Sequence, residues 1–295
     1  MTEQVKRLFC FGLGYSARRL ALSLLKEGWS VEGTCRSEIK KAELFKIGIN
    51  AKIFDGNAPL ADIAASLGRA SHLLSSVPPP RDGSGVGKSD PVFDLHSKFL
   101  RTAKHLQWVG YFSTTGVYGD ANGGRVDESS TINPSSERSY NRVAAEASWL
   151  SIGAHVFRLA GIYGPGRNVL DKAREGSARR IEKAGHKFSR IYVDDIATTV
   201  RASIDRPNPG AIYNVCDDEA AAPAEVSRFA YEILGLDPPM AIPFEVAAKT
   251  MSPMGLSFWQ DNRLVDNNRI KEELGVDLAY PNYRKGLRAI LAGES

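Results

Sequence analysis

The sequence predicts an α/β protein built on a doubly wound parallel sheet with helices on both faces. Two observations support this prediction. Short apolar runs alternate with amphipathic helical segments over about the first 165 residues, a rhythm typical of βαβ units. The first of these runs ends in a glycine-rich turn, Gly12-Leu-Gly14, directly before a helical pattern.

The predicted elements follow one another with short connections. Strands are expected at residues 6–11, 29–35, 51–54, 72–77, 108–112 and 155–159, and helices at residues 17–27, 37–47, 58–67, 92–106 and 139–151. Further along, where the alternation loosens, helices are expected at 169–184, 195–204, 223–234, 267–275 and 282–291, and strands at 188–193 and 211–215. The sequence thus predicts a first domain over residues 1–165 and a smaller C-terminal α/β substrate domain over 166–295, whose strands can interleave with the main sheet.

Composition narrows the class of protein. Lysine and arginine total 38 against 34 for aspartate and glutamate, so the net charge of +4 is small and does not indicate a nucleic-acid partner. The three cysteines form no C-x-x-C pair, and no run approaches the roughly 18 apolar residues of a membrane span. We therefore expect a cytoplasmic protein that binds a small molecule, with neither nucleic acid nor a membrane as partner, and a homodimer remains open.

The glycine-rich turn is the first candidate binding site. It reads G-x-G-x-x-A and lies between a strand and a helix. The first glycine permits the tight turn, the second lets the backbone approach a pyrophosphate, and the small third residue lets the helix pack on the strand. This is the pattern of a Rossmann dinucleotide-binding fold, and the alternative is an ordinary βα turn. The candidate cofactor-binding residues here are Gly12, Gly14, Tyr15, Ser16 and Ala17.

The end of the second strand bears on the choice of cofactor. An NAD site usually carries an acidic residue there, which accepts a hydrogen bond from the ribose 2′-hydroxyl. This strand ends Thr34-Cys35-Arg36-Ser37, with cysteine at the expected acidic position. An arginine beside a hydroxyl suits a 2′-phosphate, so Arg36 and Ser37 predict NADP rather than NAD. The alternative is that Arg36 is a solvated surface charge.

Further candidates follow later strands. Asp55 follows the third strand and either accepts a hydrogen bond from the adenine amine or caps the next helix. Ser76 and Val77 end the fourth strand, at the edge where ligands bind in open α/β sheets. Arg167 and Arg190 are candidate substrate-binding residues, because arginine recognises phosphate or carboxylate, although surface charge is an equally good interpretation.

No metal site is predicted, because the five histidines share no metal-ligand spacing. The segment 83–89, G-S-G-V-G-K-S, resembles a phosphate-binding P-loop. It has only three residues between the first glycine and the Gly-Lys pair, whereas the motif needs about four. A flexible loop is the better interpretation.

Three later motifs indicate a known family. They read S-T-T-G-V-Y-G at 113–119, R-L-A-G-I-Y-G-P-G at 158–166 and R-I-Y-V-D-D at 190–195. In this order they resemble the signatures of the extended short-chain dehydrogenases/reductases, which include NAD(P)-dependent nucleotide-sugar epimerases and dehydratases. The resemblance covers essentially the whole chain. It implies an enzyme that works by hydride transfer on a nucleotide-sugar-like substrate.

The same resemblance implies a catalytic pair, with Tyr140 as general acid/base and Thr114 holding the reacting oxygen. In the family a lysine four residues after the tyrosine activates it, but here that position is Ala144. Arg142 lies at i+2 and therefore on another face of the helix. Three interpretations remain open: another cation or the cofactor's own positive ring activates Tyr140, the redox chemistry is slower or different, or the chain is a dinucleotide-binding sensor or scaffold without turnover.

Overall fold

The structure, a computed structural model, describes residues 6–80 and 90–293, so the P-loop-like segment 83–89 lies outside the described residues. Its strands are β1 (Arg7–Phe11), β2 (Ser30–Cys35), β3 (Asn50–Ile53), β4 (His72–Ser75), β5 (Trp108–Thr114), β6 (Arg125–Val126), β7 (His155–Leu159), β8 (Gly161–Tyr163), β9 (Ile181–Glu182), β10 (Arg190–Tyr192), β11 (Ile212–Val215), β12 (Ile242–Pro243) and β13 (Leu264–Val265). Its helices are α1 (Tyr15–Lys26), α2 (Glu38–Phe45), α3 (Ile63–Arg69), α4 (Pro91–Thr102), α5 (Glu137–Leu150), α6 (Val169–Arg174), α7 (Val193–Asp205), α8 (Pro223–Ile233), α9 (Phe244–Ala248), α10 (Pro253–Ser257), α11 (Asn268–Glu272) and α12 (Tyr283–Ala292). None of these helices has the length and apolar character needed to cross a membrane.

Seven of these strands form one sheet in the order β11-β7-β5-β4-β1-β2-β3. β1 pairs in parallel with β2 and with β4, and the pairs β2–β3 and β4–β5 are also parallel. The chain winds from β1 outward to β3 and then returns to β4 on the other side of β1. The switch point of the sheet therefore lies between β1 and β4. This order confirms the predicted doubly wound α/β fold.

The central strand β1 is apolar almost throughout. Leu8, Phe9, Cys10 and Phe11 are each at most 1% exposed. A parallel strand flanked by helices is covered on both faces, so its side chains need not alternate between apolar and polar. Phe9 and Phe11 belong to a buried cluster that also includes residues of α3, α4 and α5. This core anchors the strand from which the glycine turn begins.

The structure differs from the sequence prediction in the length of one helix and in several short elements. The helix expected at 169–184 ends at Arg174, because Gly176 adopts a φ of +68° and two amides, those of Ser177 and Ala178, donate to the Lys172 carbonyl. The two-residue strands β6, β9, β12 and β13 and the five-residue helices α9 and α10 were not expected. Elements this short leave no periodic pattern in a sequence.

The chain divides into two compact units. The first unit takes the described residues of 1–114, 137–158 and 196–213. The second takes those of 115–136, 159–195 and 214–295. The chain therefore alternates between the units along its length, whereas the sequence suggested one boundary near residue 165 with interleaved strands.

Candidate functional site

The glycine turn joins β1 to α1, and its first glycine is tightly packed. Gly12 has a φ of +83°, a conformation that other residues rarely adopt. A Cβ at this position would lie 3.0 Å from both Ser76 Oγ and Val77 Cγ2. The Ser76 hydroxyl also donates to the Gly12 carbonyl. The structure thus brings Gly12, Ser76 and Val77 together at the switch point.

The second glycine faces open space instead. Gly14 is the N-cap of α1, and a Cβ built there would meet no atom within 4 Å. Among the described residues, no side chain caps this helix end and no acidic residue lies in its first turn. The first amides of a helix lack intrahelical acceptors and carry partial positive charge, so an uncapped N-terminus attracts anions. The turn therefore fits the pyrophosphate of a dinucleotide, which needs this close approach to the backbone.

The other predicted residues of the turn begin α1. Ala17 is 1% exposed and Ser16 is 8% exposed, so both face inward and let α1 pack closely on the sheet. Tyr15 is half-buried at the first helical position. Ser16 and Ala17 thus support the turn through their small size, and the binding role of all three residues stays a prediction.

Gly33 of β2 supports the same turn and was missed by the sequence analysis. A Cβ at Gly33 would lie 2.3 Å from the carbonyl oxygen of Cys10 and 2.8 Å from Cδ1 of Leu13. The next residue, Thr34, accepts the Leu13 amide at its carbonyl and the Gly12 amide at its hydroxyl, both at 2.8 Å. β2 can approach the turn this closely only because residue 33 has no side chain. The signal in the sequence is a glycine in mid-strand.

β2 ends in a cysteine, an arginine and a serine. Cys35 is 6% exposed, and burial raises the pKa of its thiol, so it offers no charge where an NAD site would place a carboxylate. Arg36 is exposed. Ser37 is the N-cap of α2, and its hydroxyl accepts the Lys40 amide at 3.3 Å. Arg36 is therefore accessible to an anion, whereas the Ser37 hydroxyl already serves the helix.

Asp55 closes a local turn after β3. Its carboxylate accepts the backbone amide and the side-chain amide of Asn57, each at 2.9 Å, and these bonds hold the pKa of Asp55 below its usual range. The helix-capping interpretation of Asp55 is wrong, because α3 begins at Ile63 with Asp62 at its N-cap. The adenine-binding role of Asp55 stays a prediction.

The catalytic candidates lie at the end of β5 and the start of α5, two elements that pack on each other within the first unit. Thr114 is the last residue of β5 and is half-buried. Tyr140 lies in the first turn of α5 and is 46% exposed, so its phenol is accessible. Ala144 follows one turn later on the same helix face. The catalytic roles of Tyr140 and Thr114 stay predictions.

Arg142 is directed into the protein rather than toward that face. It is 7% exposed, and its Nη1 donates to the Tyr111 hydroxyl at 2.9 Å and to the Phe112 carbonyl at 2.8 Å. Both partners belong to β5. Arg142 therefore fixes α5 against β5 and takes no place on the helix face that Tyr140 and Ala144 share, as the spacing predicts.

A buried ion pair between α5 and β7 holds the end of β5 in place. Glu146 of α5 accepts from Nη2 of Arg158 of β7 at 2.8 Å, and both side chains are 4% exposed. Oε1 of Glu146 also accepts from Nε of Arg158 at 3.1 Å and from the Ser113 hydroxyl at 2.5 Å. Because Ser113 directly precedes Thr114, this network positions the strand end that carries the candidate hydroxyl. The sequence offers no signal that these three residues meet.

No protein-family model matches the chain. It is similar to a solved structure of a conserved protein of unknown function from Silicibacter pomeroyi, at 44% identity over 98% of this chain and 99% of that one, with a TM-score of 0.89. Protein YeeZ of Escherichia coli K12 is 28% identical over 94% of this chain and 97% of that protein. A structure from Methylobacillus flagellatus, assigned to the NAD-dependent epimerases/dehydratases, is 25% identical over 99% of both chains, with a TM-score of 0.75.

The last likeness covers all three motifs at 113–119, 158–166 and 190–195. The chain is similar over its whole length to a structure of this NAD-dependent epimerase/dehydratase kind. The resemblance that the motifs indicate is therefore confirmed as a likeness to solved structures of this kind. The chain departs from the pattern that the resemblance implies at one position, where Ala144 stands in place of the lysine.

The second unit carries the two candidate substrate arginines. Nη1 of Arg190 donates to the carbonyls of Phe188 and Ala221, at 2.8 and 3.0 Å, and burial lowers the pKa of its guanidinium. Arg167 is exposed in the loop after β8. Both substrate-binding roles stay predictions. Across the described residues, no cluster of three or more His, Cys, Asp or Glu side chains could hold a metal ion.

Asp217 is a buried acid that the sequence analysis missed. It lies just beyond β11 and is 3% exposed. Burial raises its pKa to about 8, although the charge of nearby Arg190 acts in the opposite direction. The neighbouring acids Asp218 and Glu219 raise it further. At neutral pH this carboxyl therefore keeps its proton in the folded protein.

Replacing Asp217 with asparagine should stabilise the protein more at alkaline pH than at acidic pH. The unfolded chain releases this proton near the ordinary pKa of 3.8, whereas the folded protein keeps it up to about pH 8. The folded state thus binds the extra proton across this window, so rising pH favours unfolding. Asparagine has a similar size without charge, and we expect its stabilising effect to grow by about 1–3 kcal/mol between pH 5 and pH 9.

Urea unfolding at pH 5 and pH 9 measures this change. The matched control is Asp171→Asn, because Asp171 belongs to the same unit, is 46% exposed and pairs with Arg174 at the surface. For that variant, the difference in unfolding free energy from wild type should not increase comparably between pH 5 and pH 9. A stability difference for Asp217→Asn that stays constant between the two pH values would contradict the prediction.

Proposed function

We propose that this chain is an NADP-dependent oxidoreductase of the epimerase/dehydratase kind, acting by hydride transfer on a nucleotide-sugar-like small molecule. One observation carries the proposal: Gly14 leaves open space at the uncapped N-terminus of α1, beside the switch point of the sheet. A bound dinucleotide needs this combination for its pyrophosphate. The family supports the type of reaction, and the exposed Arg36 supports NADP over NAD.

The turn and the end of β2 would hold the cofactor. When bound, NADP supplies a nicotinamide carbon that accepts or donates hydride. Gly12 shapes the turn, Gly14 allows the close approach, and Ser76 and Val77 border the turn at the switch point. Arg36 offers a guanidinium to the 2′-phosphate at the position where an NAD site would carry a carboxylate.

Tyr140 and Thr114 would act on the substrate oxygen. The accessible phenol of Tyr140 can donate a proton to that oxygen or take one from it, and the Thr114 hydroxyl can hold the oxygen in place. Ala144 brings no ammonium group to this helix face, so the phenol exchanges its proton without the expected lysine. The buried network around Ser113 keeps the end of β5 in position for this step.

The variant Tyr140→Phe should lose turnover and keep cofactor binding. Removing a general acid/base typically lowers kcat by about 100-fold or more. The measurements are NADPH oxidation against a panel of nucleotide sugars and the dissociation constants of NADP and NAD. The matched control is Tyr231→Phe, which removes a buried hydroxyl that donates to the Ala178 carbonyl in the second unit.

Equal turnover by wild type and Tyr140→Phe would remove Tyr140 from the mechanism. Absence of turnover by the wild type, with tight dinucleotide binding, would contradict the enzymatic proposal as a whole. Tighter binding of NAD than of NADP would contradict the cofactor preference. Each result thus addresses a different part of the proposed function.

A further inference from the structure

A cavity of about 520 Å³ lies along helix α12, within the second unit. Its lining includes one aromatic, one amide and three basic side chains, which are those of Tyr280, Asn282, Arg284, Lys285 and Arg288. Among the described residues, no carboxylate lines it, and neither candidate substrate arginine does. A volume of this size suits a small organic molecule. The charge of the lining indicates that such a molecule would be an anion.

One face of α12 forms the floor of the cavity. The residues of this face that line it are Lys285, Arg288, Ala289 and Ala292. Their spacing of i, i+3, i+4 and i+7 places them side by side on the helix. Ala289 is 5% exposed, and both alanines are too small to fill the space beside the two longer side chains. The cavity therefore exists because the cations of this face have small neighbours.

Two of the three cations lack a matching carboxylate. Within residues 6–80 and 90–293, neither Lys285 nor Arg288 forms a salt bridge. The charge of Lys285 reaches Asp195 and lowers its pKa, but that carboxylate already accepts two backbone amides, each at 2.9 Å. Arg284 differs, because it pairs with Glu219 at 2.6 Å. The lining thus carries two positive charges that no salt bridge in the described chain neutralises.

The two arginines of the lining are held in place by their neighbours. Nη1 of Arg284 donates to both carboxylate oxygens of Glu219, at 2.6 and 2.7 Å, and its guanidinium carbon lies 4.5 Å from the centre of the Tyr283 ring. The guanidinium carbon of Arg288 lies 5.1 Å from the centre of the Phe229 ring. Side chains held in this way lose less conformational entropy when a ligand binds.

The cations lie at the less favourable end of α12. Arg284 and Lys285 are the second and third residues of the helix, whose first turn holds no acidic residue and whose last turn holds no basic one. The N-terminus of a helix carries partial positive charge, so cations are less favourable there than at the C-terminus. Local rules of this kind are most often broken at functional sites. An anion bound in the cavity would relieve the repulsion.

We propose that this cavity is a second binding site, which takes a small phosphorylated molecule and is separate from the dinucleotide turn. A phosphate group carries up to two negative charges and several acceptor oxygens, which suits the unpaired Lys285 and Arg288 and the donors that Arg284 keeps beyond its Nη1. The volume leaves room for an organic part, which the ring of Tyr280 can contact. The cavity lies in the second unit and the glycine turn in the first, so the inference goes beyond the proposed function.

Calorimetric titration of inorganic pyrophosphate into the full-length chain tests the site. The titration uses the Gly14→Asp variant, whose added carboxylate repels anions from the glycine turn, so that binding there does not contribute. We expect this variant to bind pyrophosphate, and a further Lys285→Met or Arg288→Met substitution to raise the dissociation constant by about 3- to 10-fold each. The affinity should also fall as salt rises, because the contacts are ionic and accessible to solvent.

The substitution Lys285→Glu in the same background separates binding from folding. The Lys285 amide donates to the side chain of the N-cap residue Asn282 at 3.0 Å. Glutamate suits this third helical position, since its charge complements the helix end and its carboxylate can bond back to the N-cap amide. We therefore expect pyrophosphate binding to be lost while the thermal midpoint stays at or above that of Gly14→Asp. A fall in the midpoint would instead assign Lys285 to the fold and overturn its place in the site.

The matched control is Arg228→Met. Arg228 is a surface arginine of the same unit and is 46% exposed, but it pairs with Glu232 on its own helix. Its loss should leave the pyrophosphate affinity unchanged. The inference is overturned if the Gly14→Asp chain binds no pyrophosphate, or if its affinity is the same after Lys285→Met and Arg288→Met are combined. The proposed function depends on NADP binding at the glycine turn and is therefore tested separately.

Discussion

The substitution Gly14→Asp should abolish dinucleotide binding and leave the fold intact. Gly14 has φ −80° and ψ −164°, an extended conformation that any residue adopts, and an added Cβ would meet no atom within 4 Å. Aspartate is moreover a preferred N-cap residue, so the variant should be as stable as wild type or more stable by about 1 kcal/mol. Its carboxylate would stand where the pyrophosphate must approach, and repulsion should weaken NADP binding by more than about 100-fold.

Calorimetric titration of NADP and thermal unfolding of the same samples measure both effects. The matched control is Gly14→Asn, which has the same shape, caps helices equally well and carries no charge. It should weaken binding less than Gly14→Asp, because only the steric part of the effect remains. Undiminished NADP binding by Gly14→Asp would exclude this turn as the pyrophosphate site.

The largest expected effect on stability comes from the ion pair of Glu146 and Arg158. Both side chains are 4% exposed, and three donor groups converge on the Glu146 carboxylate from Arg158 and Ser113. Arg158→Met leaves that carboxylate buried without its cation, which typically costs about 3–5 kcal/mol. We therefore expect a large fall in the urea midpoint, or loss of the folded protein.

Two further variants test whether the unpaired buried carboxylate causes the loss of stability in Arg158→Met. The double variant Glu146→Gln with Arg158→Met removes the unpaired charge and should recover part of the lost stability. Arg69→Met breaks an exposed pair, in which Arg69 is 53% exposed, and should cost less than about 1 kcal/mol. A small effect of Arg158→Met, comparable to that of Arg69→Met, would contradict the role assigned to the buried pair.

The parts of the fold that local patterns determine could be predicted. Strand β1 and helix α1 lie close to their expected positions, because a buried apolar run and an i, i+3, i+4 pattern are features of neighbouring residues. The meeting of Gly12 with Ser76 follows from a general rule, since the carboxyl ends of adjacent parallel strands share one edge of the sheet.

The parts of the fold that depend on competition between alternative local hydrogen bonds could not be predicted from the sequence. Aspartate commonly caps helices, yet the Asp55 carboxylate accepts the Asn57 amide, and the next helix begins only at Ile63. The helix expected to reach residue 184 ends at Arg174, because Gly176 takes a left-handed conformation. In both cases more than one local structure suits the same residues, and a sequence pattern does not rank them.

The sequence by itself determined the class of the fold, the glycine turn, the missing acid at Cys35 and the missing lysine at Ala144, since each is a matter of residue type at a position within one short motif. Only the tertiary structure decided that Arg142 points into β5 and that Glu146 meets Arg158. The physical reason is how far apart along the sequence the interacting residues lie. Motifs and periodicity arise from residues a few positions apart, whereas the partner of a buried charge is selected by packing between elements that the sequence alone does not place side by side.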